Sequence, residues 1–141
     1  MIQPVDVLEM PLNAACLRAE ATDPAAGAVV VFEGCARDHY EGKAVKALAY
    51  DAFIPMALKE LAALRLEAMA RFSLLRCLIH HRIGPVPLTE AAVVVVTASP
   101  HRKESFEAAA WIMDRIKERV PIWKREQYPD GEAWVEGNQR Q

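Results

Sequence analysis

Cysteine is scarce in this chain and never arranged in pairs: Cys16, Cys35 and Cys77 are odd in number, widely spaced and form no C-x-x-C. A disulfide framework is excluded, and no zinc-ligand spacing is present. Long apolar runs are missing too. The longest, "AAVVVV" at 91–96, falls far short of the roughly 20 residues that cross a bilayer. The opening "MIQPVDVLEM" has Asp6 and Glu9 where a signal peptide would be basic. The chain therefore reads as cytoplasmic, with reduced thiols and no membrane partner. Neither sign of charge is in excess: 17 Lys and Arg stand against 19 Asp and Glu, a net charge of -2. Non-specific nucleic-acid binding is disfavoured, although a local basic cluster can still serve a small anion. No repeat, low-complexity tract or Gly/Ser linker divides residues 1–141, so they read as a single domain. Walker, G-x-G-x-x-G, G-x-S-x-G and H-E-x-x-H motifs are all absent.

The periodic segments that are present predict an α+β fold. "PLNAACLRAEA" (11–21) has helical spacing and is broken by Pro24 and Gly27. "AVVVFEG" (28–34) and "AVKALAYDAF" (44–53) read as strands joined by "CARDHYEGK". "PMALKELAALRLEAMARF" (55–72) is the strongest helix, with Pro55 in its first turn and Leu58, Leu61, Leu64, Leu66 and Met69 as its apolar repeat. Strands are expected at 74–84 and 91–99, around the turn-rich "PVPLTE". A second long helix runs from 100 to about 119, where Pro121 pushes Val120 out of the helical region. "PIWKREQY" then extends, "PDG" turns, and "EAWVEG" returns as a hairpin partner, for about six strands in all.

The second long helix carries an unusual charge arrangement. With Ser99 as N-cap and Pro100 as first helical residue, His101 and Arg102 fall in the first turn. Cations there oppose the helix dipole unless an anion is bound. The alternative is that both are solvated, or that Arg102 pairs with a surface carboxylate. Taking about 100° per residue and Phe106 as zero, Lys117 falls at about 20°, inside a stripe formed by Ala109, Ala110, Met113, Ile116 and Val120. A lysine on a buried face snorkels, pairs, or lowers its pKa and becomes available as an acid, base or nucleophile. Lys124, past the proline in "WKRE", can face the same pocket if the strand folds back along the helix, or can guard a sheet edge. Arg37 lies just past a buried strand, where Gly34 permits close backbone approach and the guanidinium suits phosphate, or it is simply a solvated loop arginine. His80 and His81 point to opposite faces of one strand, which suits structural roles better than a metal site.

Three stretches together, "GAVVVFEGCARDHYEG", "HHRIGPVPLTEAAVVVVTASPHRKESFEAAAWIMDRIKERVPIWKRE" and "YPDGEAWVEG", resemble the catalytic (large) subunit of molybdopterin synthase from about residue 3 to 137. The motifs S-x-H-R, K-x-R-x-P-x-W-K-[RK]-E and G-x-x-W-V occur in order. The resemblance implies an α/β hammerhead-type domain with two long helices on a mainly antiparallel sheet and a small extra β subdomain. It implies a sulfurtransferase that converts cyclic pyranopterin monophosphate to molybdopterin in molybdenum cofactor biosynthesis. The sulfur would come from the C-terminal Gly-Gly thiocarboxylate of a small ubiquitin-like sulfur carrier subunit. The assembly would be a heterotetramer around a central homodimer, with no metal or other cofactor.

By the same resemblance Lys117 and Lys124 are the catalytic pair. Arg37, His101 and Arg102 would line the anion site, and Arg125 and Glu126 with the Cys35 and Ala36 backbone would complete the wall. Asn138 stands where the family often has an arginine that reaches across the dimer, and Arg140 follows two residues later. Cys35 is not usual at its position, and no sulfur-carrying role is assigned to it. Two other classes stay open from the residues alone. One is a phosphate-ester hydrolase or lyase that uses Lys117 without a partner, and the other is a docking module without chemistry.

Overall fold

The computed structural model describes residues 1–40, 42–129 and 131–136, the last five of these by their backbone. Its elements are β1 (Val5–Leu8), α1 (Ala14–Glu20), β2 (Ala28–Cys35), β3 (His39–Tyr40), β4 (Lys43–Ala44), β5 (Ala47–Ala52), α2 (Ile54–Phe72), β6 (Arg76–Arg82), β7 (Gly84–Val86), β8 (Ala91–Ser99), α3 (Arg102–Arg119), β9 (Ile122–Tyr128) and β10 (Gly131–Glu136). One four-stranded sheet has the order β1-β6-β8-β2, a second has β10-β9-β5-β7, and β3 and β4 form a hairpin. Only the β1–β6 pairing is parallel among the described strands. The expected α+β arrangement of two long helices on a mainly antiparallel sheet with additional β structure is present. Strand number exceeds the expected six because β1 was not anticipated, 74–84 divides at Ile83, and the β3–β4 hairpin occupies the loop at 35–43.

β8 explains the first sheet. Val93 and Val95 pack into the core under α2 and α3, whereas Val94, Val96 and Ala98 pack into a second cluster with Leu17 and Ala21 of α1. Both faces are covered, so the strand reads as an unbroken apolar run. α2 begins with Phe53 as N-cap and Pro55 in its first turn, and ends at Ser73 in the left-handed conformation. It buries Ala57, Leu61, Leu64 and Ala68. Leu66, counted in the expected stripe, is instead 62% exposed. α2 and α3 are tied by Arg119, whose guanidinium lies 3.3 Å from Glu60 and 2.8 Å from Glu67.

The start of α3 departs from expectation. His101 is the N-cap, with extended backbone, and Arg102 is the first helical residue. Ser99 does not cap because its hydroxyl is used elsewhere. Its Oγ donates to the His101 carbonyl at 2.6 Å and shares a short hydrogen bond with Ser105 Oγ. The other end is as expected: Val120 is extended, Pro121 follows, and β9 runs antiparallel to both β5 and β10.

Candidate functional site

A cavity of about 440 Å³ opens where the end of β2 meets the second sheet. Phe32, Glu33, Gly34 and Cys35 contribute from β2, Leu48 and Tyr50 from β5, and Lys124 and Glu126 from β9, while Arg37 and Tyr40 close it from the loop and hairpin. Alternation along β9 selects the pair. Lys124 and Glu126 are only 4% and 2% exposed, whereas Trp123 and Arg125 turn to the opposite face. Arg125, expected in the same wall, lines a separate depression with Glu9 and Asp51. The one-residue offset of a strand puts it there.

Charge in the cavity is mixed. Lys124 and Arg37 bring positive charge, and Glu33 and Glu126 bring negative. Arg37 lies 5.8 Å from the centre of the Tyr40 ring and remains exposed, so its guanidinium is available at the mouth. Glu126 accepts a hydrogen bond from the Tyr128 hydroxyl at 2.9 Å, and Lys124 Nζ stands 6.0 Å from the centre of the Tyr50 ring. Gly34 was expected to let a ligand approach the backbone. A side chain there would meet Val93 Cγ1 at 2.7 Å, so the glycine is required for packing against β8 as well as for lining the cavity. A bulge follows between Gly34 and Cys35, after which the buried Ala36 bonds through its backbone to Thr89 and Glu90. Ala36 supports the wall from behind. Burial, reinforced by Glu33, raises the pKa of Cys35 and keeps it a thiol, in line with the absence of any assigned role.

Lys117 is half-buried in the last turn of α3. The stripe assigned to it needs correction. The buried positions are Ser105, Ala108, Ala109, Ile112, Met113 and Ile116, while Phe106 and Ala110 are exposed. Their centre lies near 270° on the wheel used above, which leaves Lys117 about 110° away, at the margin of the buried face. Ala108 and Ile112, at about 200° and 240° on that wheel and absent from the expected stripe, shift the centre, as does the exposure of Phe106 and Ala110. α3 starts beside the Ser99 end of β8 and packs along β8 and β2, so its last turn points toward the end where Cys35 pairs with Ala91. Lys117 is therefore at the cavity end of the sheet without being one of the residues that line the cavity.

His101 and Arg102 lie at the other end of α3. They line an open depression of about 450 Å³ with Gly27, Pro100 and Lys103. No side chain caps the helix there, and the first turn carries Arg102, Lys103 and Glu104. The arrangement retains the uncapped backbone N–H groups that favour an anion. It does not join the first cavity. Sixteen residues of helix separate His101 from Lys117, about 24 Å along the axis, so one copy of the chain does not bring His101 and Arg102 to the cavity that Arg37 and Lys124 line.

Other residues settle into structural roles. His80 Nε2 lies 2.7 Å from the Gln3 carbonyl, and His81 Nδ1 lies 2.8 Å from the Arg82 carbonyl, which fixes the nitrogen that carries the proton in each ring. No group of three or more metal-ligating side chains occurs among the described residues. No described helix is long and apolar enough to cross a membrane. Asn138 and Arg140 lie outside the described residues. Tyr50, not among the expected site residues, also lines the cavity; its alternation with Leu48 in "ALAYDA" is the sequence signal for it.

Comparison with known proteins gives the family and the fold. Residues 7–119 match the family model described as "MoaE protein". The molybdopterin synthase catalytic subunit of Pyrococcus abyssi is 46% identical over 112 residues, 79% of this chain and 76% of that protein. The solved structure of molybdopterin synthase from Staphylococcus aureus superposes with a TM-score of 0.90 at 36% identity, covering 96% of this chain and 98% of that one. A structure of the complex of subunits 1 and 2 of molybdopterin-converting factor from Helicobacter pylori shares the fold, with a TM-score of 0.76 at 18% identity over 98% of this chain and 92% of that one. On the match to its family model and its identity to the archaeal subunit, the chain belongs to the MoaE family, the family of molybdopterin synthase catalytic subunits.

Proposed function

We propose that this subunit installs the two dithiolene sulfurs of molybdopterin on cyclic pyranopterin monophosphate. The donor is the C-terminal thiocarboxylate of a small ubiquitin-like partner. The observation that carries the reading is a lysine, Lys124, held at 4% exposure inside a polar cavity whose mouth is formed by Arg37. A buried ammonium beside developing negative charge is worth far more than one in water, because the low local dielectric strengthens it. Lys124 assists opening of the cyclic phosphate and proton movement. Lys117, at the same end of the sheet, polarises the thiocarboxylate or protonates a leaving oxygen. The partner reading is supported by the two-subunit complex of the Helicobacter pylori protein, whose fold this chain shares.

The phosphate site is proposed to be made by two copies of this chain. His101 and Arg102 are too far along α3 to reach the cavity of their own copy, yet they retain an uncapped helix start suited to phosphate. A second copy brings its helix start to the first copy's cavity without any change of fold. β2 is an outer strand of its sheet and carries the exposed Val31, which offers such pairing a strand edge with an apolar side chain.

The test is single-turnover conversion of cyclic pyranopterin monophosphate with and without the thiocarboxylated partner, for wild type and Lys117→Ala. Partner-dependent dithiolene formation that collapses in the variant supports the reading. Turnover by the isolated chain would favour a phosphate-ester hydrolase or lyase, and no product with a competent partner would remove the synthase chemistry.

A further inference from the structure

Lys124 is not held by its strand alone. On β5 its direct cross-strand partner is Tyr50, so the two side chains leave the sheet on one face. Lys124 Nζ lies 6.0 Å from the centre of the Tyr50 ring, at the outer limit of a cation–π contact. Tyr50 is 3% exposed and lines the cavity, so the contact is made out of water, where it is strongest. The ring is braced in turn from the other sheet. His81, fully buried on β6, meets Tyr50 in a T-shaped contact with centroids 5.1 Å apart and planes at 66°. The Arg82 carbonyl accepts from His81 Nδ1 at 2.8 Å and so sets the imidazole. Three residues on three strands, β6, β5 and β9, thus fix one ammonium group.

We infer that Tyr50, braced by His81, is a positioning residue for Lys124: its π face holds the ammonium in the cavity in the orientation from which it meets the phosphate-bearing substrate. The inference rests on the proposed synthase reading for its substrate, and on this geometry alone for the contact. Other charged and titratable groups face Lys124 as well: Glu126 on its own strand, Glu33 and Cys35 from β2, and Arg37 and Tyr40 from the loop and hairpin. A test must therefore change the ring's electrons while leaving its shape and those neighbours in place.

The experiment compares Tyr50→Phe, Tyr50→pentafluorophenylalanine and Tyr50→Leu in the full chain. It reads single-turnover rates and KM with the thiocarboxylated partner, and separately the titration of Lys124 by NMR of 13C-labelled lysine. Phenylalanine keeps the π face, and the rate should stay within about threefold of wild type. The fluorinated ring keeps the packing and withdraws the negative face, and the rate should fall about tenfold with KM nearly unchanged. The Lys124 titration midpoint should move down in the fluorinated and leucine variants and hold in the phenylalanine one, because cation–π contact favours the charged form. Equal rates and equal midpoints for phenylalanine and its fluorinated analogue would overturn the inference, whether or not Tyr50→Leu folds. If wild type forms no product, the synthase reading fails, and the Lys124 titration still decides whether Tyr50 holds the ammonium.

Discussion

His101 and Lys117 occupy opposite ends of the same helix, about 24 Å apart along its axis, one at the N-cap of α3 and the other in its last turn. Within a single chain these two cations cannot meet one small anion. The separation makes self-association part of the functional account. It predicts that His101→Ala with Arg102→Ala weakens substrate binding without altering the cavity that holds Lys124. Product formation at limiting substrate should drop by about tenfold to a hundredfold, in keeping with loss of charge-assisted contacts, while wild-type rates return toward saturation. A loss of thermal stability instead would assign both residues to folding.

Lys117→Ala should abolish most turnover and leave the fold intact. The side chain is half-buried at the margin of the α3 core face, so its removal opens no large void. A positioned acid–base group contributes about 10²- to 10⁴-fold, and a rate loss in that range with an unchanged melting temperature is the expected result.

Gly34→Ala tests the wall of the cavity. The new methyl would sit 2.7 Å from Cγ1 of Val93, a fully buried residue of the neighbouring strand. Overpacking of this kind costs about 1–3 kcal/mol. Adding Val93→Ala should restore part of the loss, and denaturant melts of the single and double variants measure the coupling.

The thiols should divide by burial. Burial pushes Cys77 up to about 12, and Cys16 and Cys35 are exposed. A disulfide reagent at mild alkaline pH should therefore modify Cys16 in the native protein, reach Cys35 more slowly because its pKa is raised, and reach Cys77 only on unfolding. Early reaction of Cys77, identified by peptide mapping, would contradict the packing of β6.

Arg119 should matter at neutral pH and not in acid. Its hydrogen bond and charge hold Glu67 below the usual carboxylate range. A carboxyl whose folded pKa is depressed adds stability above its unfolded pKa and loses it as pH falls through the folded value. The melting-temperature difference between wild type and Arg119→Gln should be largest near pH 7 and vanish as the solution is acidified. Being exposed, the bridge should give a modest difference.

Local signals carried much of the fold. The unbroken apolar run of β8, Pro55 at the start of α2 and Pro121 after α3 each act within a few residues, and β8, α2 and the end of α3 lie where those signals put them. β1 was legible in principle, since Val5 and Val7 alternate with Asp6, but four residues are too few to outweigh their surroundings. The start of α3 was misplaced because Ser99 has the right chemistry for a cap and spends it on Ser105 and the His101 carbonyl, a tertiary matter. Sites followed the same division. Lys124 and Glu126 share a face by strand alternation, which spacing alone reveals, and the same alternation sends Arg125 to the other side. The distance between His101 and the cavity depends on how α3 lies across the sheet, and no local spacing contains it.

The most direct test of the account mixes two chains impaired in different ways and assays them at limiting substrate. His101→Ala/Arg102→Ala and Lys117→Ala would be unfolded together, refolded as a mixture and supplied with the thiocarboxylated partner and cyclic pyranopterin monophosphate. If each site takes Lys117 from one copy and His101 and Arg102 from the other, half of the pairs carry one intact site, and the mixture should recover about a quarter of the wild-type single-turnover yield. A yield no greater than that of the two variants assayed apart would contradict a site shared between copies.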